Sequence, residues 1–420
     1  VSDLIFGAIA DDFTGATDLA DQLVAGGMRT VQLIGTTAAR VPADVDAVVI
    51  ALKTRTIAAL DAVRQSLAAL DVLEASGVKQ ILFKYCSTFD STADGNIGPV
   101  GDALAERLGQ TVTVFCPAYP ANKRSIYGGY LFVGDMLLSE SGMRDHPLTP
   151  MRDANLVRVL AAQSRRSVRR LGLDVVRRGA AAIAHDLGAL REAQHVIVDV
   201  TEDADLHALG EALDGTRLLT GGAGIAIGLP AVYRRRGWLG ANADSVAEPV
   251  RGDRGAVIAG SASSATRAQV ANFRATGAPT FTIETTHLAD PSAATRAALA
   301  FAAEHAERSL LISATAEPEI VQRNQERYGV ADAGERVERI LAGVAVGLVA
   351  AGVRRLVVAG GETSGAVVGA LGAASLRIGP RIDVGVPWTI LDGPPRVGLA
   401  LKSGNFGGPD FFERALAMTE

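Results

Sequence analysis

Two adjacent carboxylates and two threonines, Asp11, Asp12, Thr14 and Thr17, crowd the stretch ADDFTGATD, which follows the apolar run LIFGAI and precedes the helix-like LADQLVAGG. Asp and Thr are good helix N-caps, each worth about 1 kcal/mol. Capping accounts for one of them. Two successive carboxylates repel, and the second is best tolerated where it meets a cation, a substrate hydroxyl or a metal. A second polar cluster, KYCSTFDSTADGN, begins at Lys84 directly after the apolar run QILF. Lys84 supplies a charge for a carboxylate or phosphate, and Ser87, Asp90, Ser91 and Thr92 offer the hydrogen bonds a polyol needs. The competing reading is a polar loop of Ser/Thr turns. Arg55, in ALKTRTI, ends a third apolar run, and its planar fork suits a carboxylate. A sugar acid fits these three tips better than a neutral sugar.

The second half of the chain carries different chemistry. GAVIAGSASSATRAQV reads as strand, then Gly260, Ser261, Ala262, Ser263 and Ser264, then helix; RLVVAGGETSGAVVGAL repeats the plan around Gly360 and Gly361. Small residues at such turns let backbone N–H groups approach phosphate oxygens at the positive end of a helix. A third tip, LALKSGNFGG, adds Lys402, Ser403, Gly404, Asn405, Phe406 and Gly407. Each turn alone is also explained by tight packing; three together point to a nucleotide. No GxxxxGK[ST] is present, and TGGAGIAIG offers GxGxxxG where a dinucleotide fingerprint needs GxGxxG after an opening strand. A nicotinamide-dependent dehydrogenase using Gly222 and Gly224 is the rival enzyme, and a non-catalytic sugar-acid binding protein the rival of another class. His146, in RDHPL, is as readily a loop residue as a general base.

These residues need elements to hold them. Short β-branched runs alternate with Ala-rich segments of helical period almost throughout, the pattern of an α/β fold with helices flanking largely parallel or mixed sheets. At 420 residues the chain exceeds the size of one core, so two domains are expected, residues 1–245 and 250–420, joined through the polar segment Ala241–Gly255. Residues 120–160 interrupt the alternation, as a segment that shapes or covers a site would. The arginine-rich run Arg165–Arg178 reads as a solvated helix face. A net charge of -5 gives no footprint for nucleic acid. Cys86 and Cys116 show no metal or disulfide spacing. The opening VSDLIFG lacks a basic n-region, so a signal peptide is not expected and a cytoplasmic setting is. The longest uncharged helical run, Ile340–Val353, is shorter than the ~20 residues of a membrane span.

The motifs IADDFTGATDLA, FKYCSTFDSTADGNIGPV, CPAYPANKRSIYGGYLFVGDMLLSESGMRDHPLTPM, GSASSATRAQV, VVAGGETSG and LKSGNFG resemble the four-carbon acid sugar kinase family over essentially the full length. Within it, KYCSTFDST and LFVGDMLLSESGMRDHPLTPM are most similar to the 3-oxo-tetronate branch. The resemblance implies an N-terminal substrate domain, a C-terminal ATP domain, an active site in the cleft between them and phosphorylation of a C4 sugar acid on its 4-hydroxyl with Mg2+. On the matching positions it implies a substrate side of Asp11, Asp12, Arg55, Lys84, Ser87, Asp90, Ser91 and Thr92. The nucleotide side would be Ser261, Gly360, Gly361 and the loop Ser403–Gly407, and the glycine turns and Lys402 would hold ATP. Arg55 and Lys84 would hold the substrate, and Asp12 or Asp90 would take the hydroxyl proton. The metal ligands are not specified. Ala262 replaces a Cys common in the GSCS turn. Asp94 stands where the threonate and erythronate branch carries Arg, a charge reversal that argues against D-threonate and D-erythronate. The expected partner is a small-molecule sugar acid, with no nucleic acid or membrane and a homo-oligomer as the candidate assembly.

Overall fold

The structure, a computed structural model, describes residues 4–36, 41–146, 148–240, 245–391 and 393–418. Ala241–Asp244, the first part of the expected linker, and Pro147, within the 120–160 segment, lie outside the described residues. The chain divides into two compact units, Val1–Ser245 and Val246–Glu420. Among the described residues no helix is long and apolar enough to cross a membrane.

In the first unit the strands are β1 (Phe6–Ala10), β2 (Thr30–Ile34), β3 (Ala47–Ala51), β4 (Gln80–Lys84), β5 (Val112–Cys116), β6 (Arg124–Tyr127), β7 (Tyr130–Val133), β8 (Met136–Leu137), β9 (Ser167–Leu171), β10 (Gln194–Val198) and β11 (Leu218–Gly221). The main sheet is parallel, in the order β2-β3-β1-β4-β11-β5-β10-β9. FGAIA, AVVIA and QILFK are buried along their whole length, as continuous apolar strands covered on both faces must be. β1 pairs with β3 on one side and β4 on the other, so the loops leaving these three strands open at the same sheet end. In an open parallel sheet that end is where ligands collect.

The 120–160 segment, which breaks the sequence pattern, builds an antiparallel β6-β7-β8 sheet. Its first hairpin turns at Gly128 and Gly129, φ 64° and 79°, the pair of positive dihedrals that a two-residue turn of matching twist demands. Both turn amides donate to the buried Asp199 carboxylate at 2.9 Å, and Arg170 meets it at 3.0 Å. Arg170 belongs to the run expected as a helix face, and here the structure corrects the sequence reading. Ser167–Leu171 is the edge strand β9, and only Leu173–Val176 is helical. Its arginines mask the alternation of SVRRL while keeping a free sheet edge charged.

The second unit carries β12 (Ala256–Ala259), β13 (Thr280–Thr282), β14 (Leu310–Ser313), β15 (Arg355–Ala359), β16 (Ser375–Asp383), β17 (Val386–Leu391) and β18 (Val397–Lys402). The order is β13-β14-β12-β15-β18-β17-β16, parallel through β18 and antiparallel beyond. Trp388, Phe273, Phe411 and Phe412 fill one core cluster, and the Trp388 indole N–H donates to Ala415 O at 3.2 Å.

Candidate active site

The helix α1 (Phe13–Ala25) starts directly beyond β1, and Asp12 is its N-cap: Oδ1 accepts from Gly15 N at 2.9 Å and Oδ2 from the Thr14 hydroxyl at 2.7 Å. Asp12 also meets Arg55 Nη2 at 2.6 Å. Asp11 takes the same guanidinium in a two-point pair, Nε at 2.9 Å and Nη2 at 2.8 Å. Arg55 Nη1 lies 3.7 Å from Asp90 Oδ2. Three carboxylates from two strand tips thus converge on one arginine from a third. Lys84 closes the group from the end of β4, its Nζ donating to Tyr85 O at 2.8 Å; a Cβ built on Gly15 would come 2.9 Å from that Nζ.

The electrostatics separate the neighbours. Burial pushes the Asp11 carboxyl above its ordinary range in spite of Arg55. Burial also opposes the Asp12 charge, but Arg55, Lys84 and the Thr14 and Gly15 hydrogen bonds hold this carboxyl below its usual value. Two adjacent acids pushed in opposite directions are a mark of functional sites. The backbone adds a second mark. Phe89 and Asp90 sit at φ 64° and 39°, left-handed conformations that non-glycine residues adopt only at a cost of order 1 kcal/mol each. Asn96 clamps the Arg55 loop, its Nδ2 donating to the carbonyls of Thr54, Arg55 and Ile57 at 2.7, 3.3 and 3.1 Å.

In the second unit the three glycine-bearing tips are tied together. Gly260 N and Ser261 N both donate to Ala359 O, and Gly360 N donates to Lys402 O. The Ser263 and Thr266 hydroxyls donate to Gly404 O at 2.6 and 2.9 Å, and Gln269 Nε2 spans the carbonyls of Phe406, Gly407 and Gly408. The helices Ser264–Ala275 and Gly361–Ala370 therefore begin side by side, after adjacent strands β12 and β15. First-turn amides have no intrahelical acceptor; Thr266 N is capped by Ser263 Oγ at 3.2 Å, and other amides of two such ends can meet an anion. The tips are closed to side chains: a Cβ on Gly404 would sit 2.4 Å from Ser261 Oγ. The arrangement fits a polyphosphate.

Comparison with known proteins bears on both sites. The description "Sugar-binding N-terminal domain" matches residues 6–229, and "Nucleotide-binding C-terminal domain" matches residues 256–412. The chain is 54% identical over 420 residues to a 3-oxo-tetronate kinase of Burkholderia multivorans, covering 98% of this chain and 96% of that one. The chain belongs to the four-carbon acid sugar kinase family. Another relative in this family, a 3-oxo-tetronate kinase of Salmonella typhimurium, is 44% identical over 420 residues, covering 98% of each chain. Among solved structures, one from Salmonella typhimurium LT2 shares 42% identity at a TM-score of 0.86, covering 99% of this chain and 100% of that one. A Haemophilus influenzae protein shares 39% at 0.75, with the same coverage.

In the structure the residues expected at the site divide. Asp11, Asp12, Arg55, Lys84 and Asp90 come together, whereas Ser91 Oγ and Thr92 O are taken by Gln163 Nε2 at 3.0 and 2.5 Å; Ser87 is buried nearby in the same loop. Arg55 pairs with carboxylates of its own chain, at 2.8 Å to Asp11, 2.6 Å to Asp12 and 3.7 Å to Asp90. Asp94, expected as a charge near the substrate, is exposed on a turn. Lys402 is buried, and its Nζ donates to Thr266 Oγ1, Ser403 O and Gly404 O at 3.2, 2.8 and 2.9 Å, so it shapes the loop from inside. Burial pulls its ammonium down to about 7, while the three acceptors favour the charged form. Gly222 and Gly224 receive neighbouring backbone: added Cβ atoms would fall 2.8 Å from Pro117 O and 2.3 Å from Ala118 O. Close packing explains these glycines without a pyrophosphate. His146 Nδ1 accepts from Thr149 N at 3.2 Å within its own loop. Asn96 was missed because its partners lie on another strand tip.

Gly360 gives a direct test of the cradle. Its φ of 130° admits no side chain without strain, and a Cβ would lie 2.9 Å from Thr363 Oγ1. Gly360→Ala should weaken ATP binding about 10-fold or more, the scale of ~1–3 kcal/mol of backbone strain at an anion site. Titration of ATP against sugar acid checks it: only the first should change.

Proposed function

We propose that this chain is an ATP-dependent kinase that phosphorylates the 4-hydroxyl of 3-oxo-tetronate, giving 3-oxo-tetronate 4-phosphate and ADP. The observation that carries this reading is the near full-length identity to 3-oxo-tetronate kinases; the acid cluster and the main-chain anion site supply parts that such a reaction needs. Phosphoryl transfer leaves little covalent work to the protein, and positioning and charge neutralisation dominate.

The first unit holds the sugar acid beyond β1, β3 and β4. Lys84 and the acid cluster orient the hydroxyls, and Arg55 fixes the acids in place. Asp12 or Asp90 accepts the proton of the attacking hydroxyl. Asp90 is the better fit, since both Asp12 oxygens already accept hydrogen bonds, from Gly15 and Arg55 on one and from Thr14 on the other. The second unit holds the triphosphate at Gly360, Gly361, the Ser261 turn and the Ser403–Gly407 loop. Mg2+ is held largely by phosphate oxygens and water, with few protein carboxylates; arriving with ATP, it would neutralise charge on the transferred group. Among the described residues no group of three or more His, Cys, Asp or Glu side chains is arranged to hold a metal ion. In-line transfer further requires water to be excluded from the reacting groups.

A coupled ADP-release assay across 3-oxo-tetronate, D-threonate, L-threonate and D-erythronate tests the reading. Turnover should be highest with 3-oxo-tetronate. ADP formation with none of the four, or binding of NAD in place of ATP, would overturn it.

A further inference from the structure

Beside the acid cluster lies a group of polar side chains that the mechanism above does not use. Asp18 is on α1 and 5% exposed, and its Oδ1 is buried with no hydrogen-bond partner. Arg124 Nε and Asn122 Nδ2 are buried and unpartnered in the same way. Buried polar atoms are almost always satisfied, so two idle donors and one idle acceptor in one neighbourhood call for an occupant.

The three share that neighbourhood for reasons visible in the backbone. Gln22 lies one turn beyond Asp18 on the same helix face, and its Nε2 donates to the Tyr119 hydroxyl at 2.5 Å. Tyr119 and Arg124 exchange both backbone hydrogen bonds, at 2.8 and 3.0 Å, and Asn122 N donates to Tyr119 O at 2.9 Å. The turn between them passes through Lys123 at φ 58°, and Arg124 Nη1 donates to Asn122 O, which folds the guanidinium back over the turn. Lys84, Asp21, Asp12 and Arg124 are the charges that act on Asp18, so the group is continuous with the acid cluster.

We propose that Asp18, Asn122 and Arg124 form the carboxylate end of the sugar-acid site: Arg124 Nε and Asn122 Nδ2 donate to the substrate carboxylate, and Asp18 Oδ1 accepts from the adjoining hydroxyl. This assignment rests on the kinase reading and adds carboxylate recognition to a site whose Arg55 is already paired with aspartates of its own chain. Arginine and amide donors on one carboxylate are a strong, directional pairing. Burial pushes the Asp18 carboxyl up to about 7, which lets it face a hydroxyl without a fixed full charge beside the substrate carboxylate.

Erythrulose separates the two ends chemically, because it is the same four-carbon ketose with CH2OH in place of the carboxylate. The wild type should prefer 3-oxo-tetronate. Arg124→Gln and Asn122→Ala should each lower kcat/KM for the acid by about 10- to 100-fold, through KM, the loss typical of a hydrogen bond to a charged group. Their kcat, and their kcat/KM for erythrulose, should stay within about 3-fold. Asp18→Ala, which removes the acceptor, should raise KM for both compounds alike, since both carry the hydroxyl. ATP titration checks folding, and Arg124→Lys, which keeps the charge but loses the Nε donor, should fall between wild type and Arg124→Gln. Equal losses on acid and erythrulose in the Arg124 and Asn122 variants, or no loss, would overturn the assignment and leave these atoms to water or to the fold. ADP release by the wild type with an unchanged acid preference in Arg124→Gln would remove this subsite alone; no ADP release by the wild type would remove the kinase reading with it.

Discussion

Asp90→Asn should leave the sugar acid and ATP bound but lower kcat by roughly 10²- to 10⁴-fold, the range for loss of a positioned general base. The substitution is clean for a structural reason. Asn tolerates the left-handed conformation that Asp90 adopts at φ 39°, and its amide oxygen can still accept from the Thr88 hydroxyl, which reaches Asp90 Oδ1 at 2.6 Å. What it removes is Oδ2, whose contact with Arg55 is 3.7 Å and which is therefore available to a hydroxyl proton. Asp12→Asn removes a cap and an ion pair together, so its deficit should appear in stability as well as in rate. Steady-state kinetics and thermal unfolding on both variants distinguish the two acids. An unchanged kcat in Asp90→Asn would pass the base role to Asp12.

What the sequence disclosed and what it concealed follow one physical division. Buried parallel strands are continuous apolar runs, so LIFGAI, AVVIAL and QILF declare both the strands and the loops at their ends, and with them Asp11, Asp12, Arg55, Lys84 and Asp90. The turns at Gly260, Gly360 and Gly404 were equally legible, since a backbone that must approach another chain segment or an anion excludes side chains. Partnership was not legible. A fork of donors beside a loop suits a substrate carboxylate as well as an internal one, and only the pairing of β1 with β3 and β4 puts Arg55 against three aspartates. Lys402 reads as a cation for a phosphate, and nothing local in the sequence foretells that its Nζ donates to two carbonyls of its own loop. Asp18 sits in a helix as an ordinary polar residue, and nothing local distinguishes it from a solvated one. Its helix is tied through Gln22 to Tyr119, about a hundred residues away in the sequence. Strand β9 was hidden for the opposite reason: charges that protect a sheet edge erase the alternation that would reveal it.

Arg55→Met should destabilise the first unit by about 3–5 kcal/mol, the cost of removing one partner from a buried ion pair, and should do so in a pH-dependent manner. In the wild type, burial opposes the Asp12 charge but Arg55, Lys84 and the hydrogen bonds outweigh it, so the folded carboxyl lies below its unfolded value of 3.8. Its contribution is therefore present above that value and lost as pH falls through the folded one. Without the guanidinium, burial prevails at Asp12 as it already does at Asp11, so the folded Asp12 carboxyl rises above the unfolded value and that of Asp11 moves further above it. Across that window the folded state then binds more protons than the unfolded state, so the variant loses stability as pH rises. Its deficit against the wild type should be smallest near pH 4 and complete at pH 8. Urea unfolding of both proteins at those two pH values measures the difference, and catalysis should fall in parallel because Asp90 and Asp12 lose the cation that holds them in register. A deficit independent of pH would mean that Arg55 serves as a packed side chain and not as the charge on which the site is built.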